Sequence, residues 1–179
     1  MIRWLADRLS GLRNWLGVRL GLLRGQWRHG RVSVSTVPFP LGPFATHSWR
    51  YGLYAPAGLG DADVAPLLVV LHGCRQRASS FAVAAGLTQL ADSARVRLLC
   101  PQQRRLANPY RCWNWFSPLA QAGAGELRVI EAMLDDVETR VAVDPQAVAV
   151  LGLSSSPALH AIAADASARL ERVVAKLNG

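Results

Sequence analysis

Apolar and polar positions alternate with three different periods along this chain, and each period predicts a different element. In residues 1–28, Ile2, Leu5, Leu9, Leu12, Leu16 and Leu23 recur at steps of three, four and seven. That spacing draws one apolar stripe along a helix. Arg3, Arg8, Arg13, Arg19 and Arg24 punctuate it, Trp4 and Trp15 lie near it, and Gly11, Gly17 and Gly21 weaken it. Residues 32–44 are rich in Pro, Ser and Gly and read as a linker or a short edge strand. Residues 47–55 alternate as a half-buried strand does. Residues 67–71, 96–100 and 147–151 are short apolar runs, the pattern of strands covered on both faces. Residues 78–91, 126–141 and 157–177 carry helical spacing, and 104–118 form an irregular aromatic loop. Strands that alternate with helices predict parallel pairing, right-handed crossovers and a three-layer α/β domain. The expected organisation is a basic amphipathic helical segment over 1–31, a linker over 32–46 and an α/β domain over 47–179.

Charge changes this picture little. The chain has 179 residues and a net charge of +8, and residues 1–31 hold seven Arg against one Asp. Six of the eight excess charges therefore sit in the leading segment. That argues against a nucleic-acid partner, which calls for basic residues on the folded body with aromatics interleaved. The arginines also interrupt any secretory or membrane-spanning apolar run in residues 1–28. Two readings of that segment stand side by side: a helix lying on an anionic membrane surface, or a helix packed on its own domain or a second subunit. The compartment and the oligomeric state stay open. Cys74, Cys100 and Cys112 lack the paired short spacings of a zinc site, and spacing alone reads as three reduced, buried thiols, with one bridge plus a buried thiol as the alternative. The sequence calls for no metal and no cofactor.

Two motifs carry chemistry. His72, Gly73 and Cys74 follow the 67–71 strand, at the end where open α/β sheets bind ligands. A turn there can aim backbone N–H groups at a developing oxyanion. Later, the 147–151 strand breaks at Gly152, Leu153 and Ser154 and heads into a helix, the geometry that exposes a nucleophilic serine. Ser154 is then the nucleophile and the Ser155 N–H the second oxyanion donor. The same residues also suit a plain strand-to-helix connection with serines capping the helix. Ser156 stands where that turn prefers Gly, and Pro157 biases Ser156 away from helix. A serine nucleophile needs a His oriented by an acid, in this fold in the order Ser, Asp or Glu, His. His160, Asp165 and Glu171 follow Ser154, but no His follows either acid. His29 and His47 precede the core. The residues from Arg111 to Phe116 (RCWNWF) are aromatic enough to wall an apolar cleft or to form a small core beneath a loop.

LLVVLHGC at 67–74, CPQQ at 100–103, ANPYRCWNWF at 107–116, VDP at 143–145 and VLGLS at 150–154 appear in this order. Together they resemble the polyhydroxybutyrate depolymerase-type esterases, α/β-hydrolase relatives that include feruloyl and acetylxylan esterases. The resemblance runs from about Trp49 to Ser155. It implies a serine ester hydrolase acting on small or polymeric esters, with Ser154 as nucleophile and Cys74 and Ser155 as oxyanion donors. It further implies substrate contacts from His72, Trp113 and Trp115, a Cys74–Cys112 disulfide, and a free Cys100. Beyond Ser155 the tail is unlike the family, as a frameshift or truncation would make it. The expectation is an N-terminal half of the fold, weak or inactive as this chain alone, whose 147–151 strand forms an apolar sheet edge. The alternative is an inactive remnant whose amphipathic N-terminus binds membrane or a partner.

Overall fold

The computed structural model describes residues 24–35, 46–114, 116–118 and 125–152. Residues 1–23 of the expected leading helical segment (1–31), Trp115, Ser154, Ser155, His160 and the 157–177 helix lie outside these residues. The elements run β1 (Gln26–Ser35), β2 (Thr46–Ala55), β3 (Ala65–Leu71), α1 (Ala78–Ala84), α2 (Leu87–Ala94), β4 (Arg97–Gln102), α3 (Glu126–Glu138) and β5 (Val143–Gly152). No helix among the described residues is long and apolar enough to cross a membrane.

The five strands form one sheet in the order β1-β2-β4-β3-β5. β3 pairs in parallel with β4 and β5, whereas β2 pairs antiparallel with β1 and β4. The sheet is therefore mixed rather than wholly parallel, because β2 runs opposite to β4. Period-two alternation sorts its side chains onto two cores. Trp49, Tyr51, Leu53, Leu67, Val69, Leu71 and Leu99 face Val129, Ile130, Met133, Leu134 and Val137 of α3. Tyr54, Val70, Leu98 and Cys100 face Ala78, Ala82, Leu87 and Ala91 of α1 and α2. Helices thus cover both faces, as continuously apolar strands require.

Three boundaries differ from the sequence reading. β1 begins inside the expected helical segment of 1–31 and runs into residues 32–35, where the edge-strand alternative to a linker holds. Val32 and Val34 pack against the α3-side core while Arg31 and Ser33 stay exposed, so two-residue alternation overrides the helical stripe there. Trp27 packs against Tyr54 of β2, ring centroids 5.1 Å apart and planes tilted by 58°. Tyr51 lies over Gly30, its partner in the ladder, and a Cβ at residue 30 would sit 1.9 Å from that ring. The expected 78–91 helix is two helices, because Gly86 adopts φ +70° between them, a conformation glycine enters without strain. β5 begins at Val143, before the expected 147, with a register irregularity opposite Ala65 and Leu67.

Buried polar groups tie the loops to this frame. Asp92 accepts from Tyr54 Oη at 2.7 Å and from the Gly25 and Ala57 N–H groups at 3.1 Å each. Arg97 is fully buried and donates to the carbonyls of Gly60, Asp63 and Ala142. That fan of charge-assisted bonds holds the turn before β3 against the entry to β5.

Candidate active site

Within the β3–β5 ladder, Leu71 is the partner of Gly152. The register sets the last described residue of β5, where the Gly-x-Ser motif starts, beside the end of β3. The turn of His72, Gly73, Cys74, Arg75 and Gln76 springs from there. Its backbone is held from several sides: Gly73 N–H donates to Gln76 Oε1 at 2.7 Å, Gln76 N–H to Gly73 O at 3.3 Å, and Arg75 N–H to Tyr110 O at 2.6 Å. Among the described residues the Cys74 N–H has no acceptor.

His72 is buried beneath this turn, 1% exposed. Its Nε2 faces the Gln103 N–H at 3.1 Å, and Nδ1 lies 2.8 Å from Gly73 O. A backbone N–H can only donate and a carbonyl can only accept, so the ring is neutral with its proton on Nδ1. Burial holds its pKa below the ordinary value near 6.5, the Gly73 bond acts the other way, and the Arg111 charge lowers it further. With both nitrogens engaged inside the protein, His72 is neither poised as a base nor open to a ligand at its ring. It positions the turn.

The aromatic loop is clamped to the turn at several points. Cys74 and Cys112 are joined by a disulfide, and Trp113 Nε1 donates to His72 O at 3.1 Å, its ring 5.7 Å from the imidazole. The residue after Cys74 and the residue before Cys112 both hold left-handed backbone, Arg75 at φ +64° and Arg111 at φ +55°. Non-glycine residues rarely adopt it without surrounding structure that imposes it. Within the loop, Asn108 accepts from the Tyr110 N–H and donates to Asn114 Oδ1.

Glu126, at the start of α3, fastens the loop from below. It accepts from the Asn114 N–H at 2.6 Å, from Asn114 Nδ2 at 2.7 Å and from Gln103 Nε2. Burial pushes its carboxyl above the usual range and these three donors pull it back. Gln103 also donates to Cys112 O at 3.0 Å, so the residue that follows β4, the loop and α3 meet on one carboxylate. Sequence reasoning used Glu126 only as the start of a helix. Its sole signal was an acid in a helix's first turn, which is ordinary.

The structure thus brings His72, Cys74, Cys112 and Trp113 together at the end of β3. His29 lies on β1, at the sheet edge opposite β5, and His47 on β2. Cys100 is a free thiol buried against α1 and α2, its pKa pushed up to about 12 by burial, and takes no part in the cluster. The reading of three reduced thiols from spacing gives way to one bridge and one buried thiol. Among the described residues no group of three His, Cys, Asp or Glu is placed to hold a metal.

A mixed sheet with helices on both faces and a turn-and-loop cluster at the carboxyl end of β3 is a partial α/β-hydrolase architecture. The sequence profile of the family described as esterase PHB depolymerase matches residues 49–177, and the chain belongs to that family. The match continues past Ser155, so the likeness does not stop where the motifs alone placed its end. Poly(3-hydroxyalkanoate) depolymerase C of Paucimonas lemoignei is 34% identical over 113 residues, 63% of this chain and 27% of that protein. The chain thus spans about a quarter of that relative's length. Among solved structures, the Staphylococcus aureus serine hydrolase FphF is similar with a TM-score of 0.49 at 14% identity, covering 72% of this chain and 47% of that one. A feruloyl esterase from Anaeromyces mucronatus is similar with a TM-score of 0.49 at 15% identity, covering 75% and 50%.

Proposed function

We propose that this chain is a carboxylic ester hydrolase of the serine type, acting on short hydroxyacyl or aryl esters or on a polyester of hydroxy acids. One observation carries the reading: the Leu71–Gly152 register sets the start of the Gly-x-Ser turn beside a turn whose Cys74 N–H has no acceptor among the described residues. In this reading Ser154 Oγ attacks the ester carbonyl, and the developing oxyanion takes the N–H groups of Cys74 and Ser155. The C–O bond to the alcohol breaks, leaving an acyl-Ser154 that water hydrolyses to the acid. Trp113 and Trp115 wall the acyl cleft, and His72 holds the turn from beneath. The acid and His are not supplied after Ser154 in the usual order within these 179 residues.

The test is hydrolysis of p-nitrophenyl acetate by the purified chain and its Ser154→Ala variant. A rate above buffer that vanishes in the variant supports the reading, and equal rates overturn it. A second reading, a catalytically inactive chain whose amphipathic N-terminus binds membrane or a partner, is favoured by the apolar stripe of residues 1–28 and the arginines that punctuate it. It expects no rate above buffer, together with liposome binding that needs residues 1–28 and weakens with salt.

A further inference from the structure

Five arginines lie on the clamped turn and loop. Arg75 and Arg77 lie on the turn, and Arg104, Arg105 and Arg111 on the loop, while neither residues 72–77 nor residues 103–114 contain an acid. The disulfide and the bond from Arg75 N–H to Tyr110 O make the two segments one surface. Arg75, Arg77 and Arg105 are exposed. Arg75 lies 4.9 Å over the Tyr110 ring and Arg104 5.4 Å over the Trp49 ring, stacked rather than ion-paired. Arg111 lies near enough to His72 to oppose its protonation. The carboxylate that touches this cluster, Glu126, is half-buried and already engaged by Gln103 and Asn114. The ion pairs among the described residues, Arg28 with Asp61 and Arg140 with Asp136, involve none of the five. Like charges gathered without a counter-charge repel one another and build a field that attracts anions.

Resting on the ester-hydrolase reading, we propose that this arginine rim binds the free carboxylate of the substrate, so that the chain takes the acidic end of a hydroxy-acid oligoester. A linear oligoester of hydroxy acids carries one carboxylate at its end, and guanidinium groups match carboxylate geometry with paired N–H donors. With that carboxylate on the rim, the ester bond nearest it lies toward the Cys74 turn. Water adds across that bond to give a hydroxy acid and a shortened oligoester with a new terminal carboxylate. The shortened product keeps the group the rim recognises, so cleavage proceeds stepwise from the acidic end.

The experiment compares a linear 3-hydroxybutyrate trimer as the free acid with its methyl ester. Binding to the full-length Ser154→Ala protein is followed by calorimetry, and turnover of a neutral aryl ester by the unmodified chain is measured separately. The free acid is expected to bind about tenfold more tightly than the methyl ester at low salt. That preference disappears in Arg75→Gln/Arg111→Gln and at high salt, returns in part in Arg75→Lys/Arg111→Lys, and is unchanged in Arg31→Gln on β1. Equal binding of acid and methyl ester, no binding of either, or a preference that survives the double variant overturns the proposal. A missing aryl-ester rate, with the carboxylate preference intact, overturns the hydrolase reading and leaves the rim as an acid-binding site.

Discussion

The sheet and the loop cluster at its end are neighbours held by different physics. In the sheet, Leu67, Val69, Leu98 and Leu99 are buried on alternating sides, and their contacts are apolar and interchangeable in kind. In the cluster, Gln103, Asn114, Glu126 and His72 form a polar network in which each group has particular partners. Apolar packing tolerates substitutions of similar size. A buried polar network does not, because a lost partner leaves a desolvated group unsatisfied. The comparison locates stability in the first region and the shape of the site in the second.

The largest expected effect breaks the first region. Leu99→Ala, at a fully buried position between the two helical layers, should cost about 2–5 kcal/mol of unfolding free energy in urea titrations. It should leave the thiol count untouched. Removing the bridge by Cys74→Ser/Cys112→Ser should cost about 2–4 kcal/mol and sharpen proteolytic cleavage near residues 104–111. The unmodified protein should show no reactive thiol when native and one, Cys100, after denaturation without reductant. A native thiol titre above zero would contradict the bridge.

Glu126→Ala should cost about 1–3 kcal/mol, because the Asn114 N–H and the Gln103 amide lose their acceptor. Hydrogen exchange should locate that loss in the loop while β3 and β4 keep their protection. A uniform loss across the sheet would erase the distinction between the two regions. Arg104→Ala, which lifts a guanidinium from the Trp49 ring, should cost about 0.5–1 kcal/mol, the smallest effect in the series.

The cluster also has a pH signature the sheet lacks. Folding holds the His72 pKa below 6.5, so its contribution is fully present above pH 6.5. As the pH falls from there, the unfolded chain takes up a proton that the folded chain resists, and stability declines. Glu126 has the opposite sign. Its folded pKa lies above the ordinary 4.5, so its contribution is present below that value and fades as the pH rises through the folded pKa. Urea midpoints measured between pH 5 and 7.5 should therefore fall on the acid side less steeply in His72→Gln. An identical slope in both proteins would remove His72 from the account.

Much of the fold was legible because its signals are local. Continuous apolarity in residues 67–71 and 96–100 marks strands covered on both faces, and those are β3 and β4. The helical spacing of Ile130, Leu134 and Val137 marks α3. β1 was legible only in part: residues 32–44 read as a linker or a short edge strand, and Val32 and Val34 do lie on one, but Gln26–Arg31 declare a strand only once β2 lies alongside. Gly86 broke a periodic stretch because left-handed backbone is a property of one residue, invisible to a period. At the site, His72, Cys74, Cys112 and Trp113 stood out as motifs, but the roles of Glu126 and Gln103 did not. Carboxylates and amides at element ends are common, and only contact with the loop distinguishes these two.

By itself the sequence determined the family, the strand-forming runs and the order of the His72–Cys74 and Gly152–Ser154 motifs along the chain, because each is written in neighbouring residues. Tertiary structure alone decided that the sheet is mixed, that His72 is a neutral support, and that Glu126 anchors the loop. It also joined the two separate segments that carry five arginines, although six of the eight net charges lie in the leading segment. Each of these depends on partners brought together across the chain, such as His72 and Trp113, 41 residues apart. A pattern read along the backbone cannot contain a pairing that only packing creates.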